Sequence, residues 1–135
     1  TLFEVETAGV IEPKFLSALP FLSFNISPKL ISSGNEGRTR LHPQALKKFS
    51  QLEKVGRAIF KFVVTREHLQ QDIQEICELR DTYHIQNNHI YLMPAGSTPE
   101  EVADGCRELV GVCNEYGWRL TTRLHISMWK NERGR

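Results

Sequence analysis

At 135 residues the chain accommodates one domain with a real core rather than two. Hydrophobic residues make up 40% and charged residues 24%, the balance of an ordinary soluble globular protein. A net charge of +1 gives no electrostatic footing for nucleic-acid or membrane-surface binding, and no apolar run approaches the roughly 20 residues of a bilayer span; the expected compartment is the cytoplasm.

The first strand is expected at Leu2–Glu6. It opens directly after Thr1, which is not a methionine, so the chain reads as the remainder of a longer protein. The strand runs into Glu6-Thr7-Ala8-Gly9, where a carboxylate can accept from a ribose or an amine, or where Gly9 supplies a positive φ to a plain turn. A short helix over Glu12–Leu19, closed by Pro20, leads to a second strand at Leu22–Ser27. That strand ends in Ser27-Pro28-Lys29. A hydroxyl, a rigid ring and an ammonium at a strand's carboxyl end are what ligand pockets of α/β proteins collect, although Pro28 can equally stop the sheet in a turn. Ser32 to Gly37 reads as a flexible loop of the kind that forms lids.

A helix starting near Pro43 uses Leu46, Phe49 and Leu52 as its apolar stripe. The third strand, Ala58–Val64, contains Lys61, whose ammonium must meet an acid, reach water or line a wet cavity. The next helix repeats Leu69, Ile73, Ile76 and Cys77. The fourth strand, His89–Met93, is followed by Met93-Pro94-Ala95-Gly96, small residues that let a ligand approach the backbone or that merely position the next helix. Thr98 as N-cap, Pro99 at the first position and Glu101 closing a capping box start that helix; Val102, Cys106, Leu109, Val110 and Cys113 form its stripe, and Gly117 ends it. The last strand is expected at Trp118–His125, where alternation sets Arg123 and His125 on one face, either as a holder for an anionic group or with His125 in a structural role. The three cysteines, Cys77, Cys106 and Cys113, match no metal-ligand spacing and fall on apolar helix faces, so they read as core residues in a reducing compartment.

The order β-α-β-α-β-α-β-α-β predicts an α/β fold with parallel strands and right-handed crossovers. A piece of a β/α barrel is favoured over a doubly wound sheet. No glycine-rich phosphate fingerprint follows a strand, and the polar strand ends are spread along the chain.

Taken together, Glu6-Thr7-Ala8-Gly9, Ile26-Ser27-Pro28-Lys29 with Ser32-Ser33, Lys61-Phe62-Val63-Val64, Tyr91-Leu92-Met93-Pro94 and the ending Arg123-Leu124-His125 through Gly134 resemble one family: the C-terminal portion of 7-carboxy-7-deazaguanine synthases, radical S-adenosylmethionine enzymes of queuosine biosynthesis. The resemblance implies that residues 1–135 form the C-terminal part of a partial β/α barrel of the radical S-adenosylmethionine type. It implies S-adenosylmethionine, a [4Fe-4S] cluster whose ligands lie N-terminal to this chain, and Mg2+. The reaction implied is the ring contraction of 6-carboxy-5,6,7,8-tetrahydropterin to 7-carboxy-7-deazaguanine with loss of ammonia, and this chain alone is expected to be inactive.

Carried over by motif, Ser27, Pro28 and Lys29 with Glu6 and Thr7 contact the cofactor; Met93, Pro94, Ala95, Gly96, Arg123 and His125 line the pterin site. Ala8 stands where an amide residue is commoner in the family, and Met93 where some members have glutamine. Implied partners are the pterin, the missing N-terminal barrel half or a second subunit, and a second copy in a homodimer, with neither nucleic acid nor membrane. Two other readings stand beside this one: another radical S-adenosylmethionine enzyme, such as a glycyl-radical activase, and a non-catalytic barrel half serving as an interaction module.

Overall fold

The computed structural model of the chain describes residues 2–14, 18–35, 40–130 and 132. Five strands, β1 (Phe3–Thr7), β2 (Leu22–Ile26), β3 (Ala58–Val64), β4 (Ile90–Pro94) and β5 (Arg119–Leu120), are all parallel and lie side by side in chain order. Among the described residues the longer helices between them are α1 (Pro43–Lys54), α2 (Leu69–Tyr83) and α3 (Pro99–Tyr116), and α4 (Leu124–Trp129) follows β5. Among the described residues no helix is long and apolar enough to cross a membrane. Of the short helix expected at Glu12–Leu19, residues 15–17 lie outside the described residues, while Glu12 and Pro13 are irregular.

Alternation along the strands explains the layering. Leu22, Phe24 and Ile26 of β2, Ala58, Phe60, Phe62 and Val64 of β3, and Ile90 and Leu92 of β4 are buried, with half-exposed residues between them. The register carries the buried set onto one face. There it shares a core with Leu46, Phe49 and Leu52 of α1, Ile73, Ile76 and Leu79 of α2, and Leu109 and Cys113 of α3. Each fully buried side chain of this size stabilises the fold by roughly 1.5–3 kcal/mol.

All three long helices therefore cover the same face. Strands added in chain order by crossovers of one hand give this arrangement, because each unit deposits its helix on the same side. The order β1-β2-β3-β4-β5 has no reversal, so the sheet lacks the switch point of a doubly wound fold. The interleaved residues, among them Glu6, Asn25, Lys61, Tyr91 and Arg119, form the opposite face, which α1–α3 leave uncovered.

Two expectations are corrected. The strand expected at Trp118–His125 pairs only at Arg119 and Leu120. The Leu92 carbonyl accepts from the Thr121 N–H at 2.9 Å, and the next ladder bond would need an N–H on residue 94. That residue is Pro94, which has none. Pairing stops, and the backbone turns its hydrogen bonds inward as α4, with Ile126 buried and Leu124 exposed. The α3 stripe is also rotated from the expected one: Val102, Leu109 and Cys113 are buried, Cys106 is half-buried, and Val110 is 48% exposed. Gly105 causes the rotation by resting on Pro94 of β4, where a Cβ would come within 2.5 Å of the proline Cβ.

Candidate functional site

Parallel strands deliver the segments that follow them to one edge of the sheet, and the sequence-read residues lie along that edge. After β1 the chain turns at Gly9, whose φ is +73°. Thr7 Oγ1 accepts from the Gly9 N–H at 3.2 Å, and the Thr7 carbonyl accepts from the Ser27 N–H at 2.7 Å. The Thr7 hydroxyl thus serves the turn, while its carbonyl joins the Glu6–Gly9 segment to the Ser27–Lys29 segment.

Ser27 is half-buried, Pro28 buried and the Lys29 side chain exposed. The Lys29 carbonyl accepts from Arg40 Nη1 at 3.1 Å. Arg40 in turn pairs with Glu75 of α2, both of them buried, and Glu75 Oε2 accepts from the Ile31 N–H at 2.8 Å. This Arg–carboxylate pair pins Lys29 and Ile31, in the segment after β2, to the helix behind it. Neither residue stood out in sequence; the signal available was a glutamate inside the buried stripe of α2, a position that requires a charged or hydrogen-bonding partner. Of the loop expected at Ser32–Gly37, Ile31–Ser33 form a 3-10 turn closed by the Ser33 hydroxyl on the Leu30 carbonyl at 2.6 Å, and residues 36–37 lie outside the described residues.

Lys61 resolves its three sequence options by meeting an acid. Its Nζ lies 3.1 Å from Glu6 Oε1, on the face of the sheet that α1–α3 leave uncovered. Glu6 is mostly exposed and also accepts from Asn25 Nδ2 at 3.4 Å. Glu6 and Asn25 are register partners on β1 and β2, and Lys61 sits two residues beyond Ile59, the partner of Asn25 on β3. Asn25 was passed over in sequence because its strand reads as an apolar run. Its place with Ser23 at alternate positions was the signal for a polar face.

Met93 lies on that same open face, opposite Val63 on β3. Pro94 is buried, and Ala95 and Gly96 are half-buried. The Ala95 N–H donates to the Val64 carbonyl at 2.8 Å. The Gly96 carbonyl accepts from Arg123 Nη1 at 2.8 Å, so Arg123 ties the exit of β5 to the exit of β4. It does so as the N-cap of α4 rather than from a strand, and His125 stands exposed on that helix. The expected pairing of Arg123 and His125 on one strand face is therefore not formed.

Between the exits of β3 and β4 lies a cleft of about 510 Å³, lined by Thr65, Ala95, Gly96, Glu101 and Asp104 among others. Its edges are fixed by polar contacts. Asp72, wholly buried, accepts from the Thr65 N–H at 3.0 Å. Thr98 Oγ1 caps α3 through the Glu101 N–H at 3.2 Å, as expected. The Glu101 carboxylate reaches one residue further back than a capping box would, to the Ser97 N–H at 2.8 Å and hydroxyl at 3.1 Å. Those hydrogen bonds from Ser97 hold its carboxyl below the usual glutamate range. Burial pushes the Cys77 and Cys113 thiols up, which keeps them protonated and poor as ligands.

Two clusters therefore form along one edge: Glu6, Thr7, Ser27 and Lys29 around β1 and β2, and Met93–Gly96 with Arg123 around β4 and β5. They are joined across β3 on the open face, where Lys61 contacts Glu6.

Over 135 aligned residues the chain is 31% identical to a protein named 7-carboxy-7-deazaguanine synthase from Pyrobaculum aerophilum, a match covering 98% of this chain and 54% of that protein. Over 75 residues it is 35% identical to a protein of the same name from Halobacterium salinarum, covering 53% of this chain and 29% of that one. The chain is thus similar to such synthases, as the motif resemblance implies, and it spans about half the length of the first of these relatives. No family model and no solved structure matches it.

Proposed function

We propose that this chain is the C-terminal part of a radical S-adenosylmethionine lyase that converts 6-carboxy-5,6,7,8-tetrahydropterin to 7-carboxy-7-deazaguanine, with loss of ammonia, in queuosine and 7-deazapurine biosynthesis. The observation that carries the reading is the similarity to the Pyrobaculum aerophilum protein along 98% of the chain. A parallel sheet wound in one direction, with α1–α3 all on one face, also suits a partial β/α barrel whose interior holds the ligands. On this reading residues 1–135 belong to one barrel domain. The remainder, an N-terminal half or a second subunit, brings the cluster-binding segment, and the assembly is a cytoplasmic homodimer.

The groups implied by such an enzyme fit these residues unequally. Among the described residues no group of His, Cys, Asp or Glu side chains is placed to hold a metal ion. On this reading the ligands of the [4Fe-4S] cluster and of Mg2+ come from the rest of the protein. S-adenosylmethionine fits better, since Glu6, the Ser27 hydroxyl and the Lys29 ammonium complement its amine, hydroxyl and carboxylate groups. When bound it supplies a hydrogen abstraction that no side chain can perform.

The chain's own residues bind and orient. Glu6, Thr7, Ser27, Pro28 and Lys29 form the cofactor side of the cavity. Met93, Pro94, Ala95, Gly96, Arg123 and His125 form the pterin side, Arg123 bracing the Gly96 carbonyl and offering cationic charge to the substrate carboxylate. Their task is to hold the two ligands in reacting geometry and to exclude water.

The test uses the complete protein that carries this chain, reconstituted anaerobically with iron and sulfide and supplied with S-adenosylmethionine, Mg2+ and the carboxypterin. Mass spectrometry should detect 7-carboxy-7-deazaguanine. A protein with a spectroscopically verified cluster that leaves the pterin unchanged would sink the reading.

A further inference from the structure

We propose that Asn25 and Lys61, together with Glu6, form the floor of the ligand cavity and recognise a planar heterocycle that bears a carboxylate; the proposal rests on the reading above and assigns two residues beyond the strand-end segments. The trio spans β1, β2 and β3 on the face that α1–α3 leave uncovered. Asn25 Nδ2 is occupied by Glu6, but its Oδ1 has no accessible surface and no hydrogen-bond donor among the described residues. An amide oxygen left this way is an unfilled acceptor, which a ligand N–H or O–H reaches by moving the exposed Glu6 side chain beside it. Lys61 carries three N–H donors, of which Glu6 takes one at 3.1 Å, and its side chain is 18% exposed. Its stem is thus packed along the sheet, while the ammonium sits beside a carboxylate that is itself 69% exposed. A ligand carboxylate entering from the open face replaces water around this ammonium.

The same face supplies the apolar part of the site. Val63 and Met93 are register partners next to Lys61, and Tyr91 is the direct partner of Lys61 on β4. The Arg119 guanidinium lies over the Tyr91 ring, 5.9 Å from its centroid, and adds a cation to this aromatic corner of the face. An ammonium and an unpaired acceptor beside an aromatic plane complement a carboxylate- and N–H-bearing heterocycle. The carboxypterin carries both groups on one ring system, and S-adenosylmethionine carries them apart, as its adenine and its methionyl carboxylate.

The experiment separates the two. In the complete protein, anaerobic equilibrium titration measures the Kd of S-adenosylmethionine and of the carboxypterin, each beside its decarboxylated analogue, for wild type and Lys61→Met. The expected result is a loss of about tenfold or more for one carboxylated ligand, with its decarboxylated analogue bound equally by both proteins; the affected arm identifies the ligand. Lys61→Arg should recover most of the affinity, and Asn25→Leu should weaken the same ligand whether or not it is carboxylated. Glu6 is mostly exposed, so removing Lys61 leaves it solvated and the melting temperature close to wild type. Unchanged affinity in both arms overturns the proposal, as does an equal loss for a ligand and its decarboxylated analogue. A wild-type protein that binds neither ligand overturns the underlying functional reading instead.

Discussion

Gly9 illustrates a local cue whose importance is set by distant neighbours. Its φ of +73° is open to glycine at little cost, and a Cβ there would come 2.8 Å from Ile26 Cγ2 and 3.3 Å from Leu46 Cδ2. Gly9→Ala should therefore destabilise the chain by about 1–3 kcal/mol in urea denaturation; an unchanged midpoint would mean the turn is not held against β2 and α1. Glu101 acts through charge. Its carboxyl is held below the unfolded value by Ser97, so its contribution is complete above about pH 4.3, the range of a free glutamate. That contribution is lost as pH falls through the lower folded value. The stability gap between wild type and Glu101→Gln should accordingly be largest near neutrality and close in acid, as read from denaturation midpoints across pH. Thr98 and Glu101 were legible because a capping motif is spelled within four residues. The bond from Lys61 to Glu6 was not, because 55 positions separate the two.

Two glycines in α3 should respond with opposite sign to the same substitution. Gly111 has nothing within 4 Å of a built Cβ, whereas at Gly105 the Cβ would meet Pro94 of β4 at 2.5 Å. Gly111→Ala should stabilise by about 0.5–1 kcal/mol through helix propensity. Gly105→Ala carries the same propensity gain but forces α3 away from the sheet, and should destabilise by about 1–3 kcal/mol. Thermal melts of the two variants shifting in one direction would refute the rotation assigned to α3. Periodicity placed this helix correctly, but its buried face was misjudged at Val110. Which face turns inward is decided by the partner surface, here a proline ring that only a glycine accommodates. The same proline ends β5, so one residue of β4 reshapes two neighbouring elements.

The sheet as described has β1 and β5 at its edges. β1 presents Phe3, 55% exposed, with Phe21 edge-on at 6.1 Å. An apolar edge strand with unpaired backbone groups is a template for pairing with another chain. The 135-residue chain on its own should associate with rising concentration in sedimentation velocity, and Phe3→Lys should suppress that association by placing a charge on the edge. Monodisperse behaviour of the unsubstituted chain throughout the micromolar range would count against it.

The positions of four strands and three helices, their alternation and the shared direction of the strands were determined by the amino-acid order itself, since those patterns repeat within two to four residues and right-handed crossovers leave few ways to connect them. Only the tertiary structure decided that all three long helices take one face, that Arg40 and Glu75 lock the segment carrying Lys29, and that Asn25, Lys61 and Glu6 meet on the other face. Each of those outcomes depends on strand order and register, which bring together residues far apart in the chain and which no local pattern encodes.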